Sequence, residues 1–510
     1  MKNILYKSAV LASLILNFSC DGDFEEVNTN EIDPTSASVD PVFLLNDAII
    51  NTSTSNTQLI YDMPIVQQFF SPNSGVLTGG NFNQENREFA QQHWVNLYEN
   101  VIKNTGDIKG QLAAEDAPNR PNLLNMTLLV ESLAFMVLTD EHGDVPYFEA
   151  GKGITDAIVL PAYTPQEEIY SDLINVVGSA SAALSESAPA EEGEVLFSGD
   201  IAKWKRFGYS LLLRIGMRLT EVNPTLAEQT VAAAFAGGVM ESNDDNYVIR
   251  HDSNFTNDAG RILNATEANN YYLSEFFVDF LQEMEDPRLA SIAVRYVGAQ
   301  SGPEQVPENA SIDPDVQIGM PLGNDNATIV GVAEAAGLAS FYDYSQIDRN
   351  RFITQTAPMF LVTHSQTQLL LAEAAERGWV SGDPGTYFEE GVRAHMRQMA
   401  AHSPESAIPE SEIDAYLSAN PFDAGNALEQ INTQYWVSSF LNGPEAFANF
   451  RRSGFPVLTP NPYPAQDISG DFINRITYPT DEIATNNANL SEAVSRMGPD
   501  NLDTKVWWDQ

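Results

Sequence analysis

Cysteine is nearly absent: among 510 residues there is one, Cys20. A lone thiol excludes an intramolecular disulfide and any paired-cysteine metal site. Basic residues are scarce, 26 Lys and Arg against 70 Asp and Glu, for a net charge of −44. Nucleic-acid binding depends on Lys and Arg neutralising phosphates, so this balance excludes nucleic acid as a partner. The six histidines, His93, His142, His251, His364, His395 and His402, include no pair at metal-ligand spacing and read as surface or boundary residues. The chain has no Gly-x-Ser-x-Gly elbow and no His-Glu-x-x-His. Ala150-Gly151-Lys152-Gly153 lacks the leading glycine and the Ser or Thr of a phosphate loop, so it reads as a turn. These absences point to no metal, no cofactor and no enzyme. Paired carboxylates of a glycoside hydrolase cannot be picked out among 70 acidic residues, so a surface glycosidase stays as an alternative.

What is present is a globular composition, 43% hydrophobic and 19% charged. A chain of this length buries enough apolar surface to fold without a metal or disulfide. The first 19 residues read as a secretory leader: Lys2 and Lys7 supply the basic end, and a short apolar stretch over 9–16 follows, too short to span a bilayer. A sole cysteine directly after it points to lipidation at Cys20. An ordinary signal peptide with an incidental cysteine is the other reading. Asp21-Gly22-Asp23-Phe24-Glu25-Glu26 opens a polar run, so 20–40 is expected to be an acidic lipidated tether holding the body off a membrane.

The remaining residues, 41–510, read as one body built on helices. Trp94, Leu97, Tyr98, Val101, Ile102, Thr105 and Ile108 recur at three- and four-residue steps. The stretch 123–138 is apolar nearly all round, the mark of a helix buried among helices. Trp204, Phe207, Leu211, Ile215 and Leu219 form a third stripe, with Arg214 and Arg218 on another face. Over 366–400 the pattern predicts a helix to Arg377, a turn at 381–385, and a second helix capped by Thr386 with Glu389 three residues on. A further pair is expected near 425–441 and 444–452. Each pair looks like a degenerate tetratricopeptide-type unit, without a strict 34-residue period. Between the helices run polar stretches, 71–86, 241–268, 301–337 and 459–489. Loops of this length inside a compact protein are usually functional or disordered.

Several blocks carry a resemblance. Asp23-Phe24-Glu25-Glu26-Val27-Asn28-Thr29-Asn30, the stretch 139–147, Lys203-Trp204, Ala372-Glu373-Ala374-Ala375-Glu376-Arg377-Gly378-Trp379, Asn442-Gly443-Pro444-Glu445-Ala446-Phe447-Ala448-Asn449-Phe450-Arg451-Arg452 and the ending Lys505-Val506-Trp507-Trp508-Asp509 are similar to SusD-like (SusD/RagB) proteins. The resemblance covers essentially the whole mature chain. It implies an all-α dominated fold with about four tetratricopeptide-like helix pairs, packed on an irregular, loop-rich ligand-binding part with few short strands. The scaffold would lie mainly in 41–240 and 360–455, and the ligand loops mainly in 71–90 and 241–355. It also implies a lipoprotein of the cell outer membrane facing the exterior, which binds an oligosaccharide or polysaccharide and delivers it to a SusC-like TonB-dependent transporter. A peptide-capturing member of the same family is the alternative cargo reading. The negative charge favours a neutral glycan such as a β-glucan.

Sugar binding calls for aromatic rings beside hydrogen-bonding groups. The six tryptophans fall on apolar stripes or in the family blocks and read as core. The expected ligand residues are aromatics in the polar loops with their neighbours: Asn81 and Phe82; Phe255; and Phe341, Tyr342, Asp343 and Tyr344 with Arg349 and Arg351. In an extended segment Tyr342 and Tyr344 face the same side.

Overall fold

The computed structural model describes residues 39–509, apart from 54–55, 116 and 154–155. The leader, Cys20 and nearly all of the tether lie outside the described residues. From Val42 onward the chain forms one compact unit.

Helices dominate. Four antiparallel pairs make the frame: Pro121–His142 with Gln166–Ala183, Ile201–Arg218 with Pro224–Gly237, His364–Glu376 with Pro384–Gln398, and Ala427–Ser438 with Gly443–Ser453. The first helix begins with Pro121 in its first turn, where a missing N–H costs nothing. It is long and apolar enough to cross a membrane, yet most of its side chains are buried within the body. It ends at Gly143, which takes φ +87°. That backbone conformation strains any residue with a side chain, so glycine suits the position.

The helix pair over 364–398 falls where the periodicity predicts, but its caps differ. Asp383, not Thr386, caps the second helix, its carboxylate accepting from the Thr386 N–H. The capping box belongs to the first helix, where Thr363 and Gln366 bond reciprocally. Competition between two neighbouring cap residues decides this, and the carboxylate wins beside the positive helix end.

Trp94, Trp204, Trp436 and Trp508 are buried. Trp508 explains the chain ending: its indole N–H donates to Asp140 at the end of the first frame helix, 2.9 Å away. Arg218 reaches the same carboxylate and also Glu445, which Arg214 approaches as well. Arg214 and Arg218 thus lie in the core, 4% and 2% exposed, rather than on a separate polar face. His93, His142, His364 and His395 are buried too, against the expectation of surface or boundary positions.

Among the described residues the strands are short and form four small antiparallel sheets. In the three-stranded one, Ala293–Tyr296 lies between Ala310–Ser311 and Gln346–Ile347. A second hydrophobic cluster, centred on Phe277, Trp436 and Phe440, underlies this loop-rich part. Gly319 holds it against the helix Glu275–Glu283: a Cβ would fall 2.4 Å from the Ser274 carbonyl oxygen and 2.4 Å from the Glu275 Cα. Backbone cannot yield as a flexible side chain does, so Gly319→Ala is expected to destabilise the protein by about 1–3 kcal/mol, read as a lowered melting temperature. An unchanged melting temperature would show that the close approach is not needed.

Candidate functional site

The central strand Ala293–Tyr296 and the turn Phe341–Asp343 build an aromatic cradle on the loop-rich part. Ser340 caps the turn, its hydroxyl accepting from the Tyr342 N–H (3.0 Å) and donating to the Ala299 carbonyl (2.8 Å). Asp343 is buried and clamps the turn from beneath, accepting from Arg295 Nε (3.0 Å) and the Gly298 N–H (2.9 Å). Arg295 also donates to the Val316 carbonyl, tying a third loop to the same point. The turn is thus fixed by charge-assisted bonds in a sheltered place, where such bonds are strongest.

On this support Phe341 and Tyr342 stack nearly parallel, centroids 4.2 Å apart and planes 29° apart. The edge of Tyr272 meets Phe341 at 6.2 Å. Tyr342 packs on the cluster of Val294, Tyr296 and Ala299, and Gln305 donates to its carbonyl. The Arg349 guanidinium lies over the Tyr296 ring at 5.7 Å and reaches its hydroxyl at 3.4 Å. Among the described residues no carboxylate lies within ion-pair distance of Arg349, in a protein where most arginines have one. Stacking pre-orients the guanidinium and leaves N–H groups free. Phe341, Tyr342 and Arg349 are half-buried, presenting part of each group to solvent. Such a patch offers an apolar face next to a fixed donor fork, the chemistry that recognises a ring with C–H faces and polar edges.

The structure therefore gathers Phe341, Tyr342 and Arg349 at the surface, with Asp343 as their brace. It does not gather the others there. The 341–343 segment is a 3-10 turn and not extended, so Tyr342 and Tyr344 do not share a face. Tyr344 is 1% exposed, packed in a cluster with Phe70, Tyr272 and Met320, and burial pushes its phenol up. Arg351 is spent on structure, donating to Asp348 (2.6 Å) and the Ala290 carbonyl (2.9 Å). Phe82 is fully buried, edge-on to Tyr463 at 4.7 Å. Asn81 is buried as well, accepting from the Ser71 N–H and donating to the Leu77 carbonyl, both 2.8 Å. Amide-rich loop sequence here fastens a loop to itself.

Phe255 stands in a different concavity. It is 54% exposed, on a turn held by Asp252, which accepts from the Asn254 and Phe255 N–H groups. Beside it is a cavity of about 350 Å³ walled by Asn51, Ser53, Asn96 and His251. Burial lowers the His251 pKa. Tyr272, Tyr296, Gln305 and Arg295 belong to the first cradle and were not among the expected residues. Tyr296 is a buried strand residue whose partner Arg349 lies 53 residues on, and sequence order does not reveal that pairing.

Fold and cradle together define a helix-dominated protein built on helix pairs, with an aromatic patch on its loops. The chain belongs to the SusD-like family, described as "starch-binding associating with outer membrane", whose sequence profile matches residues 33–479. The solved structure of a chitin-binding protein is 31% identical, covering 92% of this chain and all of its own, with a TM-score of 0.81. A SusD homologue from Bacteroides uniformis (21% identity, 94% of this chain and 100% of its own, TM-score 0.75) shares the fold. So does a chitin-binding SusD homologue from Flavobacterium johnsoniae (23% identity, 92% and 98%, TM-score 0.73). No curated protein matches the chain.

Proposed function

We propose that this protein is a non-catalytic glycan receptor of the outer membrane, lipid-anchored through Cys20 and facing the exterior, which passes its cargo to a SusC-like TonB-dependent transporter. Family membership supports glycan binding. The observation that carries the site is the stacked Phe341–Tyr342 pair beside the carboxylate-free Arg349. One ring face with adjacent donors suits a pyranose, and the brace beneath means little is lost in ordering the site on binding. A neutral glycan is favoured, because the net charge of −44 repels a polyanion before it reaches a single arginine. Likeness to the 31% identical chitin-binding protein puts chitin, a neutral β-linked polymer, first in any panel, with β-glucan next.

The cradle is tested by affinity electrophoresis and calorimetry with chitin oligosaccharides and β-glucans. Tyr342→Ala is expected to weaken binding about tenfold, with an unchanged melting temperature because the ring is only half-buried. Equal affinity of the variant and the wild type would remove Tyr342 from the site. Sustained release of reducing ends by the wild type would instead mark a hydrolase, and binding of peptides alone would mark the peptide-capturing alternative.

A further inference from the structure

A second surface has no part in the cradle. Along the helix Glu275–Glu283 two ridges run side by side, one position apart. Phe276 and Phe280 form the first, half-buried, their rings resting against Trp436 at 5.7 and 6.0 Å. Glu275, Asp279 and Glu283 form the second and are exposed. Facing the helix, Pro321 and Leu322 on one loop and Pro460 and Pro462 on another enclose a groove of about 440 Å³. Its walls are stiff: Gly323 packs so closely on Pro462 that a Cβ would come within 2.4 Å, and Gln67 donates to the Thr459 carbonyl.

Phe276, Phe280, Leu322 and the three prolines give the groove its apolar lining beside the carboxylates, and none of the described residues lining it is basic. Three like charges at four-residue steps repel one another along a helix, and only Glu275, in the first turn, is favoured by the helix end. Partial burial and then the neighbouring carboxylate raise the pKa values of both Glu275 and Asp279, as groups without a counter-ion behave. At about 1.5 Å rise per residue the carboxylates repeat every ~6 Å along the helix. Alternate side chains of an extended peptide repeat at ~6.6–6.8 Å, close to the same interval.

We propose that this groove docks an extended segment of a partner protein carrying Lys or Arg at alternate positions, its basic side chains on the carboxylate ridge and its backbone against the Phe and Pro walls. The inference stands apart from the glycan reading, since it shares no residue with the cradle.

The test is fluorescence anisotropy of a labelled peptide of alternating Lys and Thr with the full chain. Saturable binding is expected, weakened about tenfold or more by Glu275→Gln/Asp279→Asn/Glu283→Gln with an unchanged melting temperature. The exposed triple change Glu186→Gln/Glu192→Gln/Glu228→Gln, which alters net charge equally, is expected to leave affinity within about twofold. Equal losses in both triple variants would reduce the effect to general attraction and overturn the proposal. So would no binding, equal binding of a peptide with its lysines in one block, or tighter binding of glucosamine oligomers, which would make the groove a site for cationic sugar.

Discussion

Replacing Arg452 with methionine is expected to cost the fold about 3–5 kcal/mol, seen as a lower midpoint in chemical denaturation and a melting temperature reduced by several degrees. Arg452 donates to both oxygens of Glu373, at 2.8 and 2.7 Å, and both side chains are 1% exposed. It also reaches Asn432, Asn449 and Thr220, so one guanidinium fastens His364–Glu376, Ala427–Ser438 and Gly443–Ser453 to the segment after Ile201–Arg218. Removing it strands a buried carboxylate together with the Asn449 amide oxygen, while the Asn432 oxygen keeps the Asn449 Nδ2–H. The half-buried Arg377 compensates only in part, because it meets Glu373 from the exposed side. Exchanging both partners, as Arg452→Met/Glu373→Leu, is expected to cost far less than the sum of the single changes. An additive double variant would show that the two groups act independently.

The same pair sets an acid limit. Burial alone would raise the Glu373 carboxyl, but Arg452 and then Arg377 outweigh it and hold the group at about 2, below its ordinary 4.5. A depressed carboxyl stabilises the fold fully above the unfolded value, and that stability drains as pH falls from about 4.5 through about 2. Each tenfold change in proton affinity is worth roughly 1.4 kcal/mol, so about 3 kcal/mol is at stake. Asp62 acts in the opposite sense, since burial and then Glu141 raise its pKa and favour the neutral form. The stability difference between wild type and Glu373→Gln cancels such contributions and is expected to shrink across that window. A pH-independent difference would remove the ion pair as its source.

How much of this was legible in the sequence depended on whether the cause was local. Apolar periodicity located several frame helices, because side-chain spacing along a helical turn is a property of the segment alone, but Gln166–Ala183 and Pro224–Gly237 went unread. The buried stretch 123–138 was readable for the same reason. Arg214 and Arg218 were not: their burial depends on Asp140 and Glu445, which are distant in sequence and visible only once the helices meet. The loop aromatics divide likewise. Tyr342 and Tyr344 are two residues apart and alike in composition, yet one lines a cradle and the other fills a core. The tight turn capped by Ser340 and braced by Asp343 breaks the strand alternation that would have put them on one side. Phe82, set among three amides, read as a ring kept wet by its neighbours. Asn81 and Asn83 instead bond the Leu77 carbonyl and Gln466, and the ring beside them is buried.

Substituting Cys20 with alanine is expected to move the protein wholly from the membrane fraction to the soluble one and to abolish labelling by radioactive fatty acid. No other cysteine exists to take an acyl chain, so no second site can rescue the anchor. The size of the effect follows from chain chemistry. Each buried methylene contributes about 0.8 kcal/mol, one acyl chain holds only reversibly, and several on one residue hold firmly. A net charge of −44 repels anionic lipid, and the one helix among the described residues that is long and apolar enough to insert is packed inside the body. Glycan affinity in solution should be unchanged, because the cradle lies more than 250 residues away in sequence, within the compact unit from Val42 onward. On the proposed reading capture and delivery separate: the variant would still bind glycan, while cells would grow poorly on the polymer and normally on its monomer. Retention of Cys20→Ala in the membrane fraction would overturn the anchor and leave Cys20 an incidental residue after an ordinary leader.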